Sequence, residues 1–110
     1  MWNFGIPASL KAWIDQIVRV GRTFAYTATG VASLIPEGKK LYVFSSRGGS
    51  YAPGSRFQVY DHQEPYLRAA FGFLGIADIQ FVSAENQGRG GDAAALGLAA
   101  AEAALVALTV

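Results

Sequence analysis

Two short segments of this 110-residue chain carry residue types that could hold a ligand. The first is Ser45-Ser46-Arg47-Gly48-Gly49, directly after the apolar run Leu41-Tyr42-Val43-Phe44. Open parallel sheets bind ligands beyond the C-terminal ends of their strands. Paired glycines let a flat ligand approach the backbone, and successive amides in such a turn make a donor-rich concavity. Read from these residues alone, a solvent-exposed Gly-Gly turn is the better account. The second segment is Met1-Trp2-Asn3-Phe4. Its two aromatics could flank a planar ring, and its Asn can donate and accept along a polar edge. By default, though, a first tetrapeptide is a loosely ordered terminus.

Other constellations are weaker. His62 follows Asp61 and invites a hydrolase reading with Ser46. No G-x-S-x-G elbow is present, and adjacent Asp and His cannot easily relay to one another. A single His without Cys makes no metal cluster, so no metal is expected. The lack of cysteine excludes disulfides, thiol catalysis and Cys-held clusters. Gly88-Arg89-Gly90-Gly91 is a poor match to a dinucleotide loop, because the spacing to a later acidic residue is wrong. No phosphate-binding G-x-x-x-x-G-K-[ST] loop occurs.

Composition narrows the function classes further. Apolar residues make up 52% of the chain and charged residues 15%, enough for a core and against disorder. Nine Lys/Arg face eight Asp/Glu with no basic run, so neither nucleic acid nor an acidic membrane is an expected partner. The first residues lack the basic stretch and apolar run of a secretory signal, and a cytoplasmic protein is expected. The segment Ala93 to Val110 is mostly Ala, Leu and Val. It contains Glu102 and no interfacial anchors, and reads as a buried helix rather than a membrane span.

Positioning the two segments requires an alternation of elements. Leu10, Trp13, Ile14, Ile17 and Val18 form one helical face, with Pro7 in the first turn, Gly21 as the stop and Arg19 and Arg22 near the negative end. Thr23 to Gly38 reads as irregular, with a short strand or an extended stretch at Thr23-Phe24-Ala25-Tyr26-Thr27 and Gly30, Pro36 and Gly38 as breakers. Leu41 to Phe44 reads as a strand buried on both faces. A second helix starts near Glu64-Pro65, carries Tyr66, Leu67, Ala70, Phe71, Phe73 and Leu74 on its apolar side, and stops at Gly75. Ile79 to Ala84 reads as a strand nearer a sheet edge. Asp92 suits an N-cap for a third helix, Ala93 to Leu108, whose small residues allow close approach to a sheet. Helix, strand, helix, strand, helix means an α/β domain with parallel strands and right-handed crossovers. Two strands are too few for three helices, so the chain reads as the end of a doubly wound sheet.

These segments together resemble one family, the FMN-dependent NADH azoreductases, also described as NADH:quinone oxidoreductases. Met1-Trp2-Asn3-Phe4 matches its M-[YW]-N-F flavin segment, and Ile6-Pro7-Ala8-Ser9-Leu10-Lys11 the start of the next helix. Gly21 to Thr27 is similar to its G-x-T-F-x-Y-T segment, and Ser46-Arg47-Gly48-Gly49 to its S-R-G-G loop. Pro65-Tyr66-Leu67 and Phe71 to Ile76 match the helix before its last strand. The resemblance implies a flavodoxin-like fold, FMN as cofactor, NADH or NADPH as donor, quinones or azo compounds as acceptors, and a homodimer when full length. It implies that Met1, Trp2, Asn3 and Phe4 line one side of the flavin ring and Ser46, Arg47, Gly48 and Gly49 another. Tyr26 and Phe73 fall at aromatic positions on the substrate side. The flavin carries the chemistry, so no catalytic side chain is implied.

Members of that family are about twice as long. The resemblance therefore implies that residues 1–110 are the C-terminal half of a flavodoxin-like FMN-binding domain, a partial doubly wound sheet, with the N-terminal half that holds the flavin phosphate expected to be absent. Alone, such a piece is expected to be inactive. The alternative is a non-catalytic flavodoxin-like fragment or interaction module without bound flavin.

Overall fold

The computed structural model describes residues 1–108. Its elements in chain order are α1 (Ala8–Ile17), β1 (Phe24–Thr27), β2 (Gly30–Ser33), β3 (Lys40–Ser46), α2 (Glu64–Phe73), β4 (Asp78–Ala84) and α3 (Gly91–Val106), with a 3-10 turn at Gln58–Tyr60 before α2. The chain forms two compact units. One holds Met1, Tyr42–Asp61 and the chain from Gln80 onward; the other holds Trp2–Leu41 and His62–Ile79.

In the unit of Trp2–Leu41 and His62–Ile79, the core is Ile14, Phe24, Leu67, Phe71 and Leu74. The face expected of α1 is only partly used. Ile14 is its one buried residue, while Trp13 stays half-exposed with its ring tilted against Phe71 at 6.4 Å. The helix ends at Ile17, well before Gly21, and Pro7 sits at the N-cap rather than in the first turn. The Thr23 hydroxyl ends it, donating to the Ile17 carbonyl at 2.6 Å and satisfying an acceptor the helix leaves open. Arg19 and Arg22 accordingly lie outside the last turn. Gly21, at φ 77°, serves the following turn, where its amide donates to the Phe24 carbonyl at 2.7 Å.

The stretch expected to be irregular is an antiparallel hairpin, with Phe24 opposite Ser33 and Thr27 opposite Gly30. Gly30 opens β2 instead of breaking the chain. The connecting pair Ala28-Thr29 lacks the Asn-Gly type of hairpin signal, so the second strand was illegible. Helix α2 begins at Glu64 with Pro65 in its first turn, as expected. Gly75 follows at φ 94°, with Ser33 so close that a Cβ on Gly75 would stand 2.6 Å from the Ser33 Cβ.

In the unit containing Gln80 onward, β3 and β4 form a two-stranded sheet. Ser45 meets Ser83 and Arg47 meets Glu85, both across 38 residues of sequence. A constant offset is the register of parallel strands, as expected. The expected burial of β3 on both faces is not found. No β3 residue is fully buried, and Phe44 is 59% exposed. A sheet of two strands pairs only one edge of β3 and covers too little of it. In β4, Val82 is buried.

Helix α3 starts at Gly91, earlier than expected, and Leu108 lies beyond its end. The N-cap is Gly90 at φ 68°, not Asp92. Asp92 stands in the first turn, where a carboxylate still favours the helix dipole. Gly97 and Ala101, one turn apart, are its buried residues. The last two residues of the segment read as a buried helix fall outside the described residues. Among the described residues no helix is long and apolar enough to cross a membrane.

Candidate functional site

The segment Ser46-Arg47-Gly48-Gly49 leaves the C-terminal end of β3 and is clamped along its carbonyl side. The Arg47 carbonyl accepts from the Gln87 amide at 2.8 Å, the Gly48 carbonyl from Gly88 at 3.1 Å, and the Gly49 carbonyl from Asn86 at 2.9 Å. Among the described residues the Gly48 and Gly49 amides donate no hydrogen bond. Space beside Gly48 is open, since a Cβ there would meet nothing within 4 Å. Gly88 supplies the close approach on the other side, its Cβ position lying 3.1 Å from the Gly48 Cα. The turn thus has its acceptors tied down and two adjacent donors left over.

Arg47 is only 3% exposed. Its Nη1 pairs with Asp61 Oδ2 at 3.1 Å and donates to Glu85 Oε1 at 3.3 Å. The Glu85 Oε2 in turn accepts from the Tyr51 amide at 3.0 Å. Arg47 Nε is buried with no partner among the described residues. The guanidinium is therefore used internally, while the adjoining Gly48 is exposed. The Met1 amino group donates to the Ser46 carbonyl at 2.5 Å. Burial, and then the Arg47 charge, hold that amino group below the usual range for an α-amine.

In the other unit, Trp2 and Gly5 exchange backbone hydrogen bonds at 3.1 and 2.9 Å around Asn3-Phe4. Asn3 has φ 45° and Phe4 φ 67°, a left-handed pair that is the geometry of a type I′ turn. Phe is a poor residue there, and each such position costs on the order of 1 kcal/mol or more. Strain of that kind concentrates at ligand clamps. The turn is tied to the residues before α2, with the His62 amide donating to the Phe4 carbonyl at 2.8 Å. The segment is thus ordered, contrary to the default for a terminus, and Trp2 and Phe4 remain 66% and 46% exposed.

Tyr26 and Phe73 lie in this same unit, and Phe24 joins them. The buried Phe24 ring meets Tyr26 edge-on at 5.5 Å and Phe73 edge-on at 4.9 Å. Both partners keep exposed faces. The remaining sequence candidates build nothing further. His62 is exposed and used through its backbone. No group of three His, Cys, Asp or Glu among the described residues could hold a metal.

Sequence reasoning missed Asp61, Glu85, Gln87 and Gly88. Asp61 was read only beside His62, and Glu85 and Gln87 followed a strand with no pattern of their own. Gln87 Nε2 donates to the Glu85 carbonyl at 2.8 Å and to the Ala94 carbonyl at 2.9 Å, joining the end of β4 to α3. The one available signal was the glycine Gly88, which stood in a loop read as a failed dinucleotide motif.

A profile of the flavodoxin-like fold matches residues 1–108. The chain is 50% identical over 105 residues to the FMN-dependent NADH:quinone oxidoreductase 2 of Trichormus variabilis, covering 96% of this chain and 51% of that protein. It is 54% identical over 105 residues to the FMN-dependent NADH:quinone oxidoreductase 2 of Xanthomonas axonopodis, covering 96% and 48%. Among solved structures, the FMN-dependent NADH-azoreductase of Bacillus anthracis in complex with FMN superposes with a TM-score of 0.77 at 32% identity, covering 99% of this chain and 53% of that one. The chain spans about half the length of the curated relatives it matches. With a partial α/β fold and a profile match across the described residues, this chain belongs to the family with the flavodoxin-like fold, and the relatives it resembles are FMN-dependent NADH:quinone oxidoreductases and azoreductases.

Proposed function

We propose that the chain is the C-terminal half of a flavodoxin-like FMN-binding domain, and that the whole protein is a cytoplasmic, homodimeric oxidoreductase. It passes hydride from NADH or NADPH through FMN to quinones or azo compounds. The observation that carries this reading is the Gly48–Gly49 turn, whose carbonyls are occupied and whose amides are undonated. A flavin ring presents acceptors along its polar edge, and two adjacent amides beside an open face suit that edge. Backbone donors of this kind cost no reorganisation when charge develops on the ring.

Met1, Trp2, Asn3 and Phe4 join Ser46, Arg47, Gly48 and Gly49 as flavin-lining residues on the strength of the motif match. The left-handed Asn3–Phe4 turn supports a ligand role for the first group. Tyr26 and Phe73, braced on Phe24, offer an aromatic face for a flat acceptor. Hydride acceptance and delivery is the chemistry FMN supplies when bound. The residues here bind and orient the ring; a cradle for the flavin phosphate is assigned to the other half.

The test is anaerobic addition of NADH to the full-length protein loaded with FMN. The flavin absorbance is expected to bleach before any acceptor is added, and steady-state kinetics to be ping-pong. Flavin that stays oxidised under NADH, and equally under NADPH, sinks the oxidoreductase reading and favours a non-catalytic module.

A further inference from the structure

Arg47 belongs to the loop assigned to the flavin, yet its side chain is buried against two carboxylates. It is 3% exposed, and its Nη1 reaches both the Asp61 and the Glu85 carboxylates. One guanidinium thus holds two carboxylates from separate parts of the sequence. Glu85 spends its second oxygen on the Tyr51 amide, just past the glycines. The backbone on either side is tied in the same place: the Arg47 amide donates to the Ala84 carbonyl at 2.9 Å, and the Arg47, Gly48 and Gly49 carbonyls accept from residues 86–88. A buried charge cluster contributes little net stability against apolar replacements of similar volume, and is better explained by the conformation it fixes. Here that conformation is the turn with two free amides.

We propose that Asp61 and Glu85 act through Arg47 as positioning residues, holding the Gly48–Gly49 turn with its amides aimed outward for a planar, acceptor-edged ligand. The Arg47 side chain is then a strut, and the residue lines the ligand through its backbone. The ligand's identity as FMN rests on the function proposed above; the strut itself does not.

Hydrogen–deuterium exchange of the 110-residue chain, followed by mass spectrometry, tests the strut without any flavin. Glu85→Gln keeps the shape and removes one charge. Asp61→Asn does the same at the other carboxylate. Arg47→Met removes the cation shared by both carboxylates, and Arg47→Lys restores charge without the planar fork. Glu85→Gln, Asp61→Asn and Arg47→Met are expected to speed exchange about tenfold in segments 47–51 and 86–88, whose amides report the clamp. Arg47→Lys is expected to fall between Arg47→Met and the parent, and segment 93–106 of α3 to be unchanged. If Arg47→Met loosens α3 as well, Glu85→Gln decides. Parent-like exchange in both clamp segments of Glu85→Gln and Asp61→Asn overturns the proposal. An FMN titration of the same variants in the full-length protein separates the two claims. Binding about tenfold weaker in the loosened variants supports aim toward the flavin, and equal binding overturns it. A full-length parent with no measurable FMN affinity counts against the flavin reading alone, because the exchange result stands without it.

Discussion

Gly97 in α3 lies against the backbone carbonyl of Glu85, so closely that a Cβ on Gly97 would overlap that oxygen. The neighbour is main chain just past β4 and cannot swing aside as a side chain would. Gly97→Ala is therefore expected to destabilise the chain by about 1–3 kcal/mol, as overpacking does, despite the higher helix propensity of Ala. Urea unfolding followed by circular dichroism measures it. Stability equal to or above the parent would show that α3 can move off Glu85 freely.

The glycines of α2 and its end give an opposite pair. Gly72 has open space at its Cβ position and ordinary helical backbone, so Gly72→Ala should stabilise by about 0.5–1 kcal/mol. Gly75 sits at φ 94° against Ser33, and Gly75→Ala should cost about 1–3 kcal/mol through strain and overlap together. Shifts of the same sign in the two variants, measured by the same unfolding curves, would contradict this placement of Gly75.

At Gly48 the fold tolerates a side chain and the proposed ligand does not. No atom lies within 4 Å of its Cβ position and its φ is not left-handed. Gly48→Val in the full-length protein should keep its thermal midpoint within a few degrees and lose FMN, read as the flavin absorbance that co-purifies. Full retention of FMN would remove Gly48 from the proposed site.

Expressed alone, the chain is expected to self-associate and to hold FMN weakly. Among the described residues strand β3 pairs with β4 alone, and Phe44 is 59% exposed. An open strand edge with apolar side chains recruits other chains. Size-exclusion chromatography with light scattering and an FMN titration checks both parts. A sharp monomer peak with tight, stoichiometric flavin binding would mean that the chain is self-sufficient.

What the sequence determined by itself was local. Helix α2, the two parallel strands and the Ala-rich α3 were legible because apolar periodicity and the Glu64-Pro65 start report backbone shape within a few residues. The motifs around Met1–Phe4 and Ser46–Gly49 were legible as a family pattern. Tertiary structure decided the rest. Helix α1 stops at Ile17 because the Thr23 hydroxyl, six residues later, folds back to it. Strand β2 exists because β1 is there to pair with it, in spite of a turn with no strong signal of its own. The largest difference is at Arg47. Its motif marks it for a ligand, while its side chain is held by Asp61 and Glu85, two carboxylates distant in sequence. A charge goes where its desolvation is compensated, and only the folded chain brings those carboxylates to it.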